Sequence, residues 1–341
     1  MAVMTTRVAA CLREFVEGRS ISAAEAEALL REIMQGEASP VLLAGLLVAW
    51  RMKGETAAEL EGAARALRGC AETIHPRRPV IDTCGTGGDG QNTFNISTAA
   101  ALIAASAGVA VAKHGNRAIS GRVGGADILE ALGMQIDLPP ERVQACIDAN
   151  GFGFLFAPRF HPAMKHVAPV RRELGLRTIF NLLGPLSNPA GARRQLVGVF
   201  SSQWLEPVAR ALANLGAEHV WVVHSEDGLD EISLSAPTQV CEWANGTLRS
   251  WVLIPQQLGF SLYPREAFVV RTLDEAVARM RSVLRGEPGP CLDVAVLNAA
   301  AALYIGGAVP SIEAGVDQAR AAVAGGQAWQ KLEQIVEWTR A

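Results

Sequence analysis

Asp82-Thr-Cys-Gly-Thr-Gly-Gly-Asp89 decides the reading of this chain. The short run from Pro79 enters a turn with three glycines and an acid. Asn92-Thr-Phe-Asn-Ile-Ser-Thr98 then leads into an Ala-rich helical pattern. A strand, a glycine turn, hydroxyl side chains and a helix start together make an anion cradle. Glycines admit backbone close to a phosphate, and N–H groups at a helix N-terminus point at it. A second such loop follows, Lys113-His-Gly-Asn-Arg117, and then Ser120-Gly-Arg-Val-Gly-Gly-Ala-Asp127. Two adjacent phosphate-type loops imply a ligand with more than one phosphate.

The turn is not a P-loop, because no Gly-Lys-Ser/Thr follows it. Asp89 would repel a bare anion and suits a ribose hydroxyl or a metal-bound water better. Ser97 and Thr98 either cap the helix or reach a phosphate or magnesium ion. Two cations, an imidazole, an amide and a glycine within Lys113–Arg117 make a functional loop rather than a merely solvated one. A third constellation is His224-Ser-Glu-Asp-Gly-Leu-Asp230-Glu231. It follows a buried apolar run and so sits at a strand's C-terminal end, where open α/β sheets place ligands. Beside a polyphosphate, Asp230 and Glu231 become candidate magnesium ligands.

The chain has 341 residues, half of them hydrophobic, with 33 glycines and a formal charge of −3. That suits a two-domain α/β enzyme and lacks the basic face of a nucleic-acid binder. The six cysteines are scattered with no Cys-x-x-Cys pair, so free thiols in a reducing compartment are expected. No signal-peptide pattern and no membrane-length apolar run is present, which points to the cytoplasm.

Residues 1–72 read as helices only. Ser22-Ala-Ala-Glu25 and Thr56-Ala-Ala-Glu59 are capping boxes, and Ser39-Pro40 opens a helix that Gly54 ends. Strand and helix patterns then alternate over 76–164 and 191–341, which predicts a mostly parallel sheet covered by helices. The stretch 165–190, rich in proline and arginine, breaks the rhythm and reads as a segment returning to the helical domain. Asn245-Gly246 is a hairpin turn within 237–254. No side chains pair as a covalent nucleophile and base.

In order and together, these motifs resemble the anthranilate phosphoribosyltransferases over essentially the whole chain. The family's signatures stand as Gly85-Thr-Gly-Gly-Asp89, Asn95-Ile-Ser-Thr98, Lys113-His-Gly-Asn116, Pro169-Val-Arg-Arg-Glu-Leu-Gly-Leu-Arg-Thr-Ile-Phe-Asn-Leu-Leu-Gly-Pro185 and Asp230-Glu231. The resemblance implies a small helical domain plus a large α/β domain of the nucleoside phosphorylase/phosphoribosyltransferase type, and a homodimer joined through helical domains. It implies that Gly85, Gly88, Asp89, Thr93, Asn95, Ile96, Ser97 and Thr98 hold phosphoribosyl pyrophosphate. Lys113, His114, Gly115, Asn116, Arg117, Ala118, Ile119, Ser120 and Gly121 would close over it as a mobile loop, with Gly125 near the phosphates. Gly115 is expected to admit the ligand closely and to take positive φ. Ser97, Asp230 and Glu231 would serve two Mg2+ ions. Gly85, Asn116 and Arg171 would meet anthranilate, Arg171 facing its carboxylate. Departures are small: Arg122-Val123 and Gly125 stand where relatives often carry other residues, including serine, and Cys84 replaces an aliphatic residue.

The implied reaction moves the phosphoribosyl group to the amine of anthranilate and releases pyrophosphate. A pyrimidine nucleoside phosphorylase of the same fold is a rival, but its Lys-x-Ser-Thr-Gly-Gly-type loop is replaced here by Asp-Thr-Cys-Gly-Thr. A non-catalytic, nucleic-acid-binding relative would lack the intact glycine and acidic motifs.

Overall fold

The computed structural model describes residues 6–87, 90–118 and 123–341. Four helices come first: α1 (Arg7–Val16), α2 (Ala23–Met34), α3 (Pro40–Lys53) and α4 (Ala57–Gly69). Both expected capping boxes form, Ser22 with Glu25 and Thr56 with Glu59. Gly54 ends α3 at φ 86°, a conformation that glycine adopts without a Cβ penalty.

The rest alternates. β1 (Val80–Gly85), α5 (Ile96–Ser106), β2 (Ala110–Gly115), α6 (Gly125–Ala131), α7 (Pro140–Asn150) and β3 (Phe152–Phe156) are followed by α8 (Ala157–Phe160), α9 (Ala168–Leu174) and α10 (Ile179–Leu186). Then come β4 (Arg194–Gly198), α11 (Leu205–Asn214), β5 (His219–Ser225), β6 (Thr238–Ala244) and β7 (Thr247–Leu253). Four helices close the chain: α12 (Leu273–Leu284), α13 (Pro290–Ile305), α14 (Ile312–Ala324) and α15 (Gln327–Arg340).

The strands form one sheet in the order β3-β2-β1-β4-β5-β6-β7. The first five are mutually parallel, and β6 and β7 are antiparallel additions. The β6–β7 hairpin turns at Asn245-Gly246, both at positive φ. From β1 the chain steps outward to β2 and β3, then returns to place β4 on the other side of β1. The C-terminal ends of β1 and β4 therefore flank a topological switch point, the usual ligand crevice of such sheets.

The covering layers explain the sequence's small residues. α5 is buried on every side, Ala99–Ala105 included, as expected of a helix apolar all round. It packs on the equally buried α13, whose Ala299–Ala302 let the backbones approach. In the segment between β3 and β4, Val170, Ile179, Leu182, Leu183 and Leu186 join the apolar cluster of α1–α4. That same cluster reaches Val197, Val199, Val220 and Val222 on one face of the sheet.

Candidate active site

β1 delivers Gly85 to the C-terminal edge of the sheet, where the loop after β5 crosses it. A Cβ on Gly85 would lie 2.5 Å from Asp230 Oδ2, and one on Gly198 would lie 1.5 Å from the Asp230 carbonyl oxygen. Only glycine at both strand ends lets this loop sit down. The Gly87 N–H donates to Asp230 Oδ2 at 2.7 Å, so the glycine turn and the acidic loop are tied directly. Asp230 and Glu231 are both buried, whereas Glu226 of the same loop is exposed. The loop's shape is set locally. Asp227 accepts from the Leu229 N–H and the Ser233 hydroxyl, and the Ser225 N–H donates to the Leu229 carbonyl.

Asn95 opens α5 without making a side-chain cap. Its amide instead donates to the Val123 carbonyl at 3.1 Å, and its Oδ1 is buried without a partner among the described residues. Ser97 and Thr98 lie in the first turn of the helix, not at its cap. Thr83 Oγ1 donates to the Ser97 carbonyl at 3.0 Å, which fixes this turn over the end of β1. Thr93 pairs with Val269 in an isolated bridge that leads the chain into the turn.

The Lys113–Arg117 segment differs from its expected form. Lys113, His114 and Gly115 are strand residues of β2, not loop. Lys113 is buried, and its ammonium donates to the Thr83 carbonyl at 2.6 Å and to Ser97 Oγ at 3.2 Å. Arg117 pairs with Asp127 and Glu130 on the outside. Both expected phosphate cations thus have protein partners. Nor does Gly115 take positive φ; it is extended, and a Cβ there would meet the Phe154 ring at 2.8 Å. Gly124 carries the tighter constraint, since a Cβ would strike the backbone of Asn116 to Ala118. Asp127 clamps the same place by accepting from the N–H groups of Ala118 and Gly124. A Cβ on Gly125 would lie 3.4 Å from Thr98 Oγ1. Gly88, Asp89, Ile119, Ser120, Gly121 and Arg122 lie outside the described residues.

Sequence reasoning passed over several groups that build this floor. Asp82 is fully buried and accepts from the His114 N–H and from Asn188 Nδ2. His114 Nδ1 faces the Gly184 carbonyl at 3.2 Å, and its ring lies 5.0 Å from that of His161. Burial, aided for His114 by the neighbouring imidazole, pulls the two pKa values down to about 3 for His114 and about 4 for His161. Both are neutral at ordinary pH and add no charge to the cradle.

Arg171 projects from α9. Its guanidinium stacks over the Phe180 ring at 5.3 Å, and burial pulls its pKa down to about 10. Among the described residues none is hydrogen-bonded or ion-paired to that guanidinium. Phe180 and Gly184 are one turn apart on the same face of α10. The stacked Arg171 and the His114 end of β2 therefore meet the same helix.

Two family models divide the chain. The helical bundle domain of a glycosyl transferase family matches residues 9–71, and the α/β domain of that family matches 77–329. A curated relative from Symbiobacterium thermophilum, an anthranilate phosphoribosyltransferase, is 54% identical, with 97% of each chain covered. The chain belongs to the anthranilate phosphoribosyltransferase family. The family's crystal structure from Thermus thermophilus superposes with a TM-score of 0.92 at 48% identity, covering 97% of this chain and 99% of that one. The Saccharomyces cerevisiae enzyme in complex with PRPP and Mg gives 0.89 at 26% identity, covering 98% of both chains. The same enzyme in complex with 4-fluoroanthranilate gives 0.89 at 25%, covering 99% of both. Family members thus share both the helical bundle and the sheet described above.

The donor set fits the magnesium bound in one of those relatives. Two adjacent buried carboxylates stand beside a glycine cradle that a Cβ would fill, and the Ser97 hydroxyl sits over the neighbouring strand end. Among the described residues no group of three or more His, Cys, Asp or Glu is placed to hold a metal ion by itself. Few protein ligands suit magnesium, which keeps water and substrate phosphate oxygens in its shell. All six thiols are free, and burial holds the Cys84 thiol well above its usual range, so no reactive nucleophile competes.

Proposed function

We infer that this chain transfers the phosphoribosyl group of phosphoribosyl pyrophosphate to the amine of anthranilate. The products are N-(5-phosphoribosyl)anthranilate and pyrophosphate, a step of tryptophan biosynthesis. One observation carries the assignment. The glycine turn, the first turn of α5 and the Asp230-Glu231 loop are hydrogen-bonded or packed together at one sheet edge, and a desolvated Arg171 guanidinium, without an ion-pair partner among the described residues, stands over α10.

The chemistry follows from these groups. The aromatic amine of anthranilate is largely neutral, so its lone pair attacks C1 of the ribose without prior deprotonation. Arg171 binds the anthranilate carboxylate with two parallel hydrogen bonds, a geometry a guanidinium matches. Asn116 and the Gly85 backbone orient the ring. In the first turn of α5 Ser97 meets the diphosphate, since the N–H groups of Ile96, Thr98 and Ala99 are taken by the Phe94 and Asn95 carbonyls, and Gly87 keeps the acidic loop in place. Asp230, Glu231 and Ser97 hold two magnesium ions. Magnesium held there would supply positive charge to the leaving pyrophosphate. The rest is positioning, which a closing loop after β2 supplies.

Val16, Val41 and Met52 are exposed on α1 and α3, which supports a homodimer through the helical domain. Light scattering should give twice the chain mass. No described helix is long and apolar enough to cross a membrane. The function is tested by adding phosphoribosyl pyrophosphate and magnesium to enzyme and anthranilate. Anthranilate fluorescence should fall, and a panel of aromatic amines should fix the acceptor range. An unchanged signal would reject the assignment, and consumption of inorganic phosphate and a nucleoside instead would favour a phosphorylase.

A further inference from the structure

The sheet splits at the site. β1 and β2 are in register only at Val80–Ala110 and Ile81–Val111. Both strands run on, β1 against β4 as far as Gly85–Gly198 and β2 against β3 as far as Gly115–Phe156. Beyond Ile81 and Val111, side chains replace the backbone ladder between them. Asp82 Oδ1 accepts from the His114 N–H at 3.2 Å, and Asn188 Nδ2 donates both to Asp82 Oδ2 and to the Ala112 carbonyl, each at 2.8 Å. Lys113 Nζ closes the gap by donating to the Thr83 carbonyl and to Ser97 Oγ.

A continued ladder would keep the strands about 4.8 Å apart and need none of these side chains. A wholly buried carboxylate is a costly way to join two strands, because its desolvation opposes it. We propose that Asp82 is a positioning residue for the phosphoribosyl donor. With Asn188 it ties the ends of β1 and β2 together where their ladder stops and, through the Lys113 ammonium held by Thr83 and Ser97, sets the first turn of α5 at the donor. This rests on the function inferred above. Burial raises the Asp82 carboxyl pKa and Lys113 opposes that shift, as expected of a tie held by hydrogen bonds beside a cation.

Asp82→Asn keeps the shape but turns one acceptor into a donor that faces the His114 N–H or the Asn188 amide. The Michaelis constant for phosphoribosyl pyrophosphate should rise at least about tenfold while that for anthranilate stays within about twofold, as for one lost charge-assisted hydrogen bond. Without any substrate, exchange of the His114 amide should quicken in Asp82→Asn. If that variant does not fold, Asn188→Ala should show the same split and the same quickened exchange. Equal rises in both constants, an unchanged donor constant, or an unchanged exchange rate would overturn the proposal. The exchange measurement does not depend on the reaction, so a wild-type chain inactive with these substrates would sink the function and leave the tie to be judged on exchange.

Discussion

In the N-terminal helices, the wholly buried carboxylate of Glu59 receives the N–H groups of Ile21 and Thr56, the Trp50 indole and the Lys53 ammonium. Among the described residues of α1–α4, no buried side-chain nitrogen or oxygen lacks a partner. At the C-terminal edge of the sheet the pattern reverses. Among the described residues, Asn95 Oδ1 and His114 Nε2 are buried without a partner, and the Arg171 guanidinium meets the Phe180 ring but no ion-pair partner. Unpaired buried polar groups cost free energy. Such groups also stand elsewhere in the α/β domain, at Gln195, Trp204 and Trp221, so the contrast is between the bundle and that domain, and the groups at the sheet edge support the site proposed there. The bundle uses its polar groups for stability, and those at the sheet edge serve the proposed site.

Glu59→Ala tests the first half of this contrast and should have the largest effect. It leaves the Lys53 ammonium buried and three further donors unpaired, a loss of about 3–5 kcal/mol for breaking a buried pair. Denaturant unfolding should report it, while the Michaelis constants of the protein that remains folded should hold. If kinetics collapsed and stability did not, the bundle would be part of the chemistry.

Asp230→Asn with Glu231→Gln tests the second half. Activity at limiting magnesium should fall about 10²–10³-fold, the cost of removing a charge-stabilising group. The melting temperature should change little. Wild-type rate and magnesium dependence would remove these two acids from the metal site.

Arg171→Ala comes next. The Michaelis constant for anthranilate should rise about tenfold or more, for a lost interaction of ~1.5–3 kcal/mol. That for phosphoribosyl pyrophosphate should move much less. Equal movement of both would assign Arg171 to closure of the site rather than to the acceptor.

The smallest effect concerns the two neutral imidazoles. Their folded pKa values are depressed to about 3 and about 4 from 6.5. The unfolded chain therefore takes up protons first as pH falls. Their contribution to stability is full above pH 6.5 and is lost progressively as the pH drops towards 3–4. Between pH 7 and pH 6 each should cost about 0.7 kcal/mol of stability. His161→Asn should remove half of that slope in a pH series of unfolding curves. A slope unchanged by the substitution would mean that His161 is protonated in the folded state.

Where an argument used residues close along the chain, the sequence carried it well. The capping boxes at Ser22 and Thr56, the Asn245-Gly246 hairpin and the glycine turn after β1 each rest on a few neighbouring side chains and their φ preferences. Asp230-Glu231 was visible because a buried apolar run precedes it. The misreadings came where tertiary partners intervene. Lys113 looked like a loop cation because nothing near it in sequence reveals that Thr83 and Ser97 take its ammonium. Arg117 looked available because its partners, Asp127 and Glu130, become neighbours only when α6 folds back. Gly115 drew a conformational argument, whereas the Phe154 ring on the next strand is what excludes a side chain there.

By itself, then, the sequence determined the layered α/β architecture, the helical N-terminal region and the family. Periodicity, caps and short motifs are local, and local rules are written in adjacent residues. Only the tertiary structure decided which charges remain for a ligand. Asp82 and Asn188 stand 106 residues apart along the chain, yet their hydrogen bond helps to tie β1 to β2 where the ladder stops. Gly198 matters because the Asp230 carbonyl would occupy its Cβ. Such choices depend on which groups are desolvated together, and desolvation is a property of the packed interior rather than of any segment.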